Sequence, residues 1–148
     1  MPTPMDIAFE EAEAAFARGE VPVGCVVVDG ATGRVLGRAG NRTEALADPT
    51  AHAEMLALRE ACKARGAPRI PDCDLYVTVE PCAMCAQAIA FARIRRVVYG
   101  ADDAKMGGVA HGARVFAQPT CHHRPEVIDG IDAERARGLM RRFFADRR

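Results

Sequence analysis

The chain lacks any run of roughly 20 continuous apolar residues, the length a membrane-crossing helix needs. Its N-terminus also lacks the charged-then-apolar layout of a secretory signal, so a soluble, cytoplasmic protein is expected. A disulfide framework is missing too. The six cysteines, Cys25, Cys62, Cys73, Cys82, Cys85 and Cys121, are too few and too irregularly spaced for a secreted scaffold of 148 residues, and reduced thiols are expected. There is no net charge, 20 Lys+Arg facing 20 Asp+Glu, so the total demands no polyanionic partner. Internal repeats, low-complexity tracts and interdomain linkers are absent. What remains is 49% apolar content in 148 residues, enough for one domain over residues 1–148 with a sizeable core.

Charge is uneven along the chain. Residues 1–60 hold ten acids and five bases, leaving ten acids and fifteen bases for residues 61–148. The end is densest, with Arg135, Arg137, Arg141, Arg142, Arg147 and Arg148. These read either as the solvated face of a last helix or as a surface that meets a polyanion.

Local signals order the chain into alternating elements. Thr3, Pro4 and Asp6 have capping-box spacing before Ile7, Ala8, Ala12, Ala15 and Phe16 at helical intervals, and Gly19 closes that helix. Val21–Val28 is a β-branched run turned by Asp29-Gly30 and Thr32-Gly33 into a second strand from about Arg34 to Ala39, an antiparallel hairpin. A polar loop over residues 40–48 leads to a helix from Ala51 to about Arg65, stopped by Gly66, with Met55, Leu58 and Cys62 as its buried face. Pro68–Asp74 reads as loop and Leu75–Val79 as a strand, and a helix starts at Glu80-Pro81. Arg95–Gly100 is a further strand, residues 102–124 are loop-like, Val127-Ile128 is a short strand, and a last helix runs from about Asp132 to Ala145. A hairpin followed by alternating helices and strands implies a sheet covered by helices on both faces, an α/β/α sandwich.

Two short pieces carry the chemistry, His52-Ala53-Glu54 and Pro81-Cys82-Ala83-Met84-Cys85. One imidazole and two thiolates make the three protein ligands of a catalytic zinc site, which keeps its fourth position for water. The sequence puts His52 and Glu54 in the first turn of one helix and Cys82 and Cys85, three apart, at the start of another. Both helix dipoles then favour anionic ligands there. Zinc lowers the pKa of bound water to about 7, and Glu54 beside it would shuttle protons. Two blander readings stay open. One is a structural zinc site with a fourth ligand from Cys73, Cys121, His122 or His123; the other is a redox dithiol, which leaves His52 and Glu54 unexplained.

The sequence resembles the zinc nucleobase deaminases, whose signature is His-x-Glu followed by Pro-Cys-x-x-Cys. More narrowly it is similar to the bacterial tRNA-specific adenosine deaminases. The likeness runs through Glu20-Val21-Pro22-Val23-Gly24, Gly40-Asn41-Arg42, Asp48–Glu54, Leu75–Cys85 and Gly100–Lys105, over nearly the whole chain. It implies a cytidine-deaminase-like fold, a five-stranded mixed sheet between helices, in a homodimer. It implies one Zn²⁺ per subunit on His52, Cys82 and Cys85, with Glu54 as proton shuttle. Asn41 would contact the base, Asp103 and Lys105 would lie by the sugar-phosphate chain, and Phe144 would border the flipped nucleotides. The implied reaction converts adenosine to inosine at the wobble position of a tRNA anticodon stem-loop. Its alternatives are a hydrolytic deaminase of free guanine, cytosine or a nucleoside, and a noncatalytic zinc module that would not need Glu54. His111 departs from a serine-leucine pair common in that family. For Phe143 and Phe144, core packing competes with base stacking.

Overall fold

A computed structural model describes residues 1–147. Arg148, counted above among the basic residues, lies outside the described residues. The elements are α1 (Pro4–Ala17), β1 (Gly24–Asp29), β2 (Val35–Gly40), α2 (Ala53–Arg65), β3 (Cys73–Val79), α3 (Ala83–Phe91), β4 (Arg96–Ala101), a 3-10 turn (Val115–Ala117), β5 (Glu126–Ile128) and α4 (Ala133–Ala145). The five strands form one sheet in the order β2-β1-β3-β4-β5. β1 is antiparallel to both β2 and β3, and β3, β4 and β5 run parallel.

Period-two alternation sorts the strand side chains onto two apolar faces. Val26, Val28 and Val98 face α1 and α4, packing with Met5, Phe9 and Leu139. Cys25, Val27, Leu75, Val77 and Val97 face α2 and α3, packing with Leu58 and Ile89. This is the three-layer α/β/α sandwich with a five-stranded mixed sheet. The layers approach closely at Gly24, where a Cβ would stand 1.8 Å from the Ala8 carbonyl oxygen of α1.

Where boundaries differ from the sequence expectation, the backbone explains it. β1 starts at Gly24, not Val21, because Pro22 has no N–H and Val23 donates locally to the Val21 carbonyl at 2.9 Å. β3 begins two residues early, at Cys73, where Asp74 pairs with Arg95 at 2.9 and 2.7 Å. His52 and Cys82 are not inside first turns: each is the extended N-cap residue of its helix. On α2 the buried residues are Ala53, Glu54, Ala57, Leu58 and Ala61, while Met55 and Cys62 are only half-buried. The capping box on α1 forms as read, Asp6 N–H donating to Thr3 Oγ1 and Thr3 N–H to Asp6 Oδ2.

The topology decides where a site can form. β1 is antiparallel to β2 and β3, so its amino end shares one edge of the sheet with the carboxyl ends of β2, β3 and β4. That edge collects Val21 and Val23 ahead of β1, Asn41 after β2, Glu80 after β3 and Asp103 after β4.

Candidate active site

His52 and Cys82 owe their positions to the two helix starts. Both are N-caps with extended backbone, φ −72°, ψ 153° and φ −71°, ψ 174°, and neither side chain caps its own helix. A residue that usually serves an N-cap would turn its oxygen back to the helix N–H groups. Here those two positions aim an imidazole and a thiol at each other instead. Cys85, one turn into α3, adds the third donor from the same end.

His52 Nδ1 lies 3.6 Å from the Cys82 sulfur and 3.6 Å from the Cys85 sulfur. Tetrahedral zinc, with Zn–N near 2.05 Å and Zn–S near 2.3 Å, sets its nitrogen and sulfur ligands about 3.6 Å apart. The donor set and its spacing therefore fit Zn²⁺. Among the described residues these three form the one cluster of His, Cys, Asp or Glu donors close enough to share an ion. Cys73, Cys121, His122 and His123 stay outside it: Cys121 Sγ donates to the His123 carbonyl, and His123 Nε2 to the Ile94 carbonyl. A redox dithiol would leave the imidazole 3.6 Å from both sulfurs without a task, whereas a zinc site uses it as the third ligand.

Without a metal the three ligand groups share protons among themselves, and Cys82 alone is driven to its ligating form. A hydrogen bond from the Cys85 thiol, with His52 adding to it, holds the Cys82 thiol down at about 4. Cys85 is pushed up by the same pairing and by burial, so one proton is retained between the two sulfurs until a metal displaces it. His52 is raised, first by its hydrogen bond to Cys82. Glu54, 4% exposed, stands outside the ligand cluster, and burial pushes its carboxyl up to about 7.

These groups open into a cleft of ≈ 280 Å³ whose wall includes Val23, Asn41, His52, Glu54, Asp103 and Phe144. A larger groove of ≈ 890 Å³ adjoins it, bordered by Lys105, Arg141 and Arg147. Asp103, Met106, Met140 and Phe144 line both. So Asn41, Asp103 and Phe144 reach the cleft itself, and Lys105 reaches only the groove. Phe143 is buried against Phe16, while Phe144 is 46% exposed, which separates the two aromatics the sequence left together. Most arginines of α4 are otherwise engaged: Arg135 lies over Phe9, Arg137 pairs with Asp102 and Glu134, and Arg142 lies over Phe16.

Two buried carboxylates escaped sequence reasoning as site elements. Glu20 holds the turn after Asn41, and Glu80 holds the loop after β4. Both occur in the motifs quoted above, but nothing in a lone glutamate distinguishes a buried hub from a surface charge.

A model of the cytidine and deoxycytidylate deaminase zinc-binding region matches residues 3–101, which contain all three candidate ligands. The chain belongs to this deaminase family. The tRNA-specific adenosine deaminase of Agrobacterium fabrum is 53% identical over 144 residues, covering 97% of this deaminase and 93% of that protein. A solved structure from work on A-to-I editing by tRNA:A34 deaminases at the wobble position of transfer RNA superposes with a TM-score of 0.89 at 53% identity, covering 92% of this chain and 97% of that one. A guanine deaminase from Nitrosomonas europaea shares the fold at 21% identity, with a TM-score of 0.83 over 98% of this chain and 86% of that one.

Proposed function

We propose that this deaminase converts adenosine to inosine at the wobble position of a tRNA anticodon, the editing that its 53%-identical relatives are described as performing. The observation that carries the reading is the wall shared by cleft and groove. A base drawn into the ≈ 280 Å³ cleft beside Glu54 leaves its sugar-phosphate chain in the groove bordered by Lys105 and Arg141. A free base offers nothing for those cations to meet.

His52, Cys82 and Cys85 would hold Zn²⁺, which when bound supplies Lewis acidity and a water activated near neutral pH. Glu54 then does the proton work. Poised near neutrality by burial, its carboxylate takes a proton from the attacking water, passes it to the adenine ring nitrogen and serves the departing amine. The aliphatic wall of Val21 and Val23 keeps bulk water away from that transfer. Asn41 contacts the nucleoside, Asp103 and Lys105 lie along the sugar-phosphate chain, and the exposed ring of Phe144 stacks on the extruded nucleotides.

The reading includes residues 1–148 acting as one domain, in the cytoplasm, as a homodimer. All six thiols are unpaired, and among the described residues no helix is long and apolar enough to cross a membrane. Phe91, 66% exposed at the end of α3, offers apolar surface for a second copy, and sedimentation of wild type and Phe91→Glu checks that state.

The functional test incubates zinc-loaded protein with an anticodon stem-loop bearing adenosine and, separately, with free adenosine, cytosine, cytidine and guanine. Inosine is read as guanosine on reverse transcription. Conversion of the wobble adenosine alone is expected. Conversion of a free base with the stem-loop untouched would keep the zinc chemistry and overturn the substrate.

A further inference from the structure

Glu20 lies just past the end of α1, follows the left-handed Gly19 (φ 83°), and is only 2% exposed. Its carboxylate accepts three hydrogen bonds: from Asn41 Nδ2 at 3.2 Å, from the Glu44 N–H at 3.2 Å and from the Ala45 N–H at 2.7 Å. Asn41 Nδ2 also donates to Thr43 Oγ1 at 3.2 Å. A carboxamide nitrogen has two hydrogens, so both are consumed on the protein side. The backbone of Asn41 is fixed as well, its N–H on the Val23 carbonyl and its carbonyl receiving the Arg18 guanidinium, each at 3.2 Å. What Asn41 has left for the cleft it lines is Oδ1. Turning the amide over would set Oδ1 against the Glu20 carboxylate, acceptor facing acceptor, and strand a buried oxygen.

We infer that Glu20 is a positioning residue that determines specificity: it locks the Asn41 carboxamide so that the cleft presents an acceptor and takes a hydrogen-bond donor from the substrate nucleoside. The inference rests on the reading above that Asn41 contacts the substrate. Two groups supply such a donor, an N–H of the base or a ribose hydroxyl. An acceptor such as guanine O6 is refused at the same point.

The test is a set of four proteins, wild type, E20Q, N41A and E20Q/N41A, assayed for kcat and KM on the adenosine stem-loop with zinc content measured alongside. A glutamine at position 20 has a single oxygen where the wild type has two, so it frees Asn41 to turn and present N–H to the cleft. E20Q should lose about tenfold or more in kcat/KM, the size of one oriented hydrogen bond, with zinc retained. If Glu20 acts through Asn41, E20Q/N41A is no worse than N41A. Losses that multiply in the double variant overturn the inference while leaving the contact by Asn41 intact. Wild-type kinetics in N41A overturn both.

A second pair guards against a folding defect. N41D sets a carboxylate against Glu20 and should lose activity. E20Q/N41D lets the amide introduced at position 20 donate to the carboxylate introduced at position 41, whose other oxygen again faces the cleft, and activity should recover. A double variant as impaired as N41D contradicts the inference. A stem-loop with 2′-deoxyadenosine at the target position then finds the donor. An E20Q effect that persists assigns a base N–H, one that vanishes assigns the ribose hydroxyl, and both support an acceptor at Asn41.

Discussion

The His111 ring nitrogen Nδ1 lies 2.8 Å from the Glu80 carboxylate, whose side chain is fully buried directly before Pro81 and Cys82. Glu80 also accepts the backbone N–H groups of Asp103, Val109, Ala110 and His111 at 3.0 to 3.2 Å. One carboxylate thus ties the loop after β4, with its cleft-lining Asp103, to the strand end that presents the zinc ligand. The His111 ring adds a side-chain partner to that hub.

Burial pushes the Glu80 carboxyl up, but the Asp103 N–H, the His111 ring and the other backbone donors outweigh it, and the net direction is down. A carboxyl depressed on folding stabilises above its unfolded value, about 4.3, and that contribution fades as pH falls through the folded one. Glu80→Ala should therefore cost about 3 kcal/mol near neutrality, the penalty of stranding several buried donors. Urea midpoints from neutral to acid pH read it. The gap between wild type and Glu80→Gln should narrow below about pH 4; a gap that is constant with pH contradicts the assignment.

Glu54→Ala should abolish turnover and keep zinc, and Cys82→Ala should lose the metal. Removing a positioned acid–base group typically costs about 10²–10⁴-fold in rate. Metal analysis beside stem-loop kinetics separates the two cases. A Glu54→Ala protein that deaminates near the wild-type rate would sink the role.

Zinc removal should expose one reactive thiol. With Cys82 held at about 4 by Cys85 and His52, chelated protein carries a Cys82 thiolate at about pH 6. Cys62 and Cys73 are both raised by burial and stay protonated there. Brief iodoacetamide treatment followed by peptide mass mapping should find label on Cys82 in the chelated sample and none in the zinc-loaded one. Equal labelling of Cys62 would contradict this order.

Gly37 in β2 faces α2 so closely that a Cβ would stand 2.3 Å from the Ala57 carbonyl oxygen and 2.9 Å from the Ala61 nitrogen. Both contacts are backbone, so α2 itself must move, and α2 carries Glu54. Gly37→Ala should cost about 1–3 kcal/mol by overpacking and lower kcat with it. Thermal unfolding together with kinetics checks the link; a destabilised variant with unchanged kcat would show that α2 shifts without its N-terminus.

Phe144→Ala and Lys105→Ala should both act on the RNA rather than on the chemistry. Loss of one stacking platform is worth about 1–3 kcal/mol, and loss of one phosphate contact flattens the salt dependence of binding. Stem-loop binding at two salt concentrations distinguishes them: Phe144→Ala should weaken both equally, and Lys105→Ala mainly the low-salt value. Unchanged binding in either would remove that residue from the RNA path.

The sequence by itself determined the elements and the chemistry. Capping at Thr3 and Asp6, the hairpin turn at Asp29-Gly30 and the stop at Gly66 are local events, set by backbone and side chain within a few residues. His52, Cys82 and Cys85 were legible as ligands because zinc accepts few donor types and fixes their number. Tertiary structure decided what depends on distance through space. It made His52 and Cys82 N-caps, buried Phe143 and exposed Phe144 although both sit in one apolar stripe, and spent Arg135 and Arg142 on aromatic rings while leaving Arg141 at the groove. It also turned Glu20 and Glu80 into buried hubs. A carboxylate's role is set by which N–H groups surround it, and those come from segments 21 to 31 residues away, brought to one sheet edge by strand order.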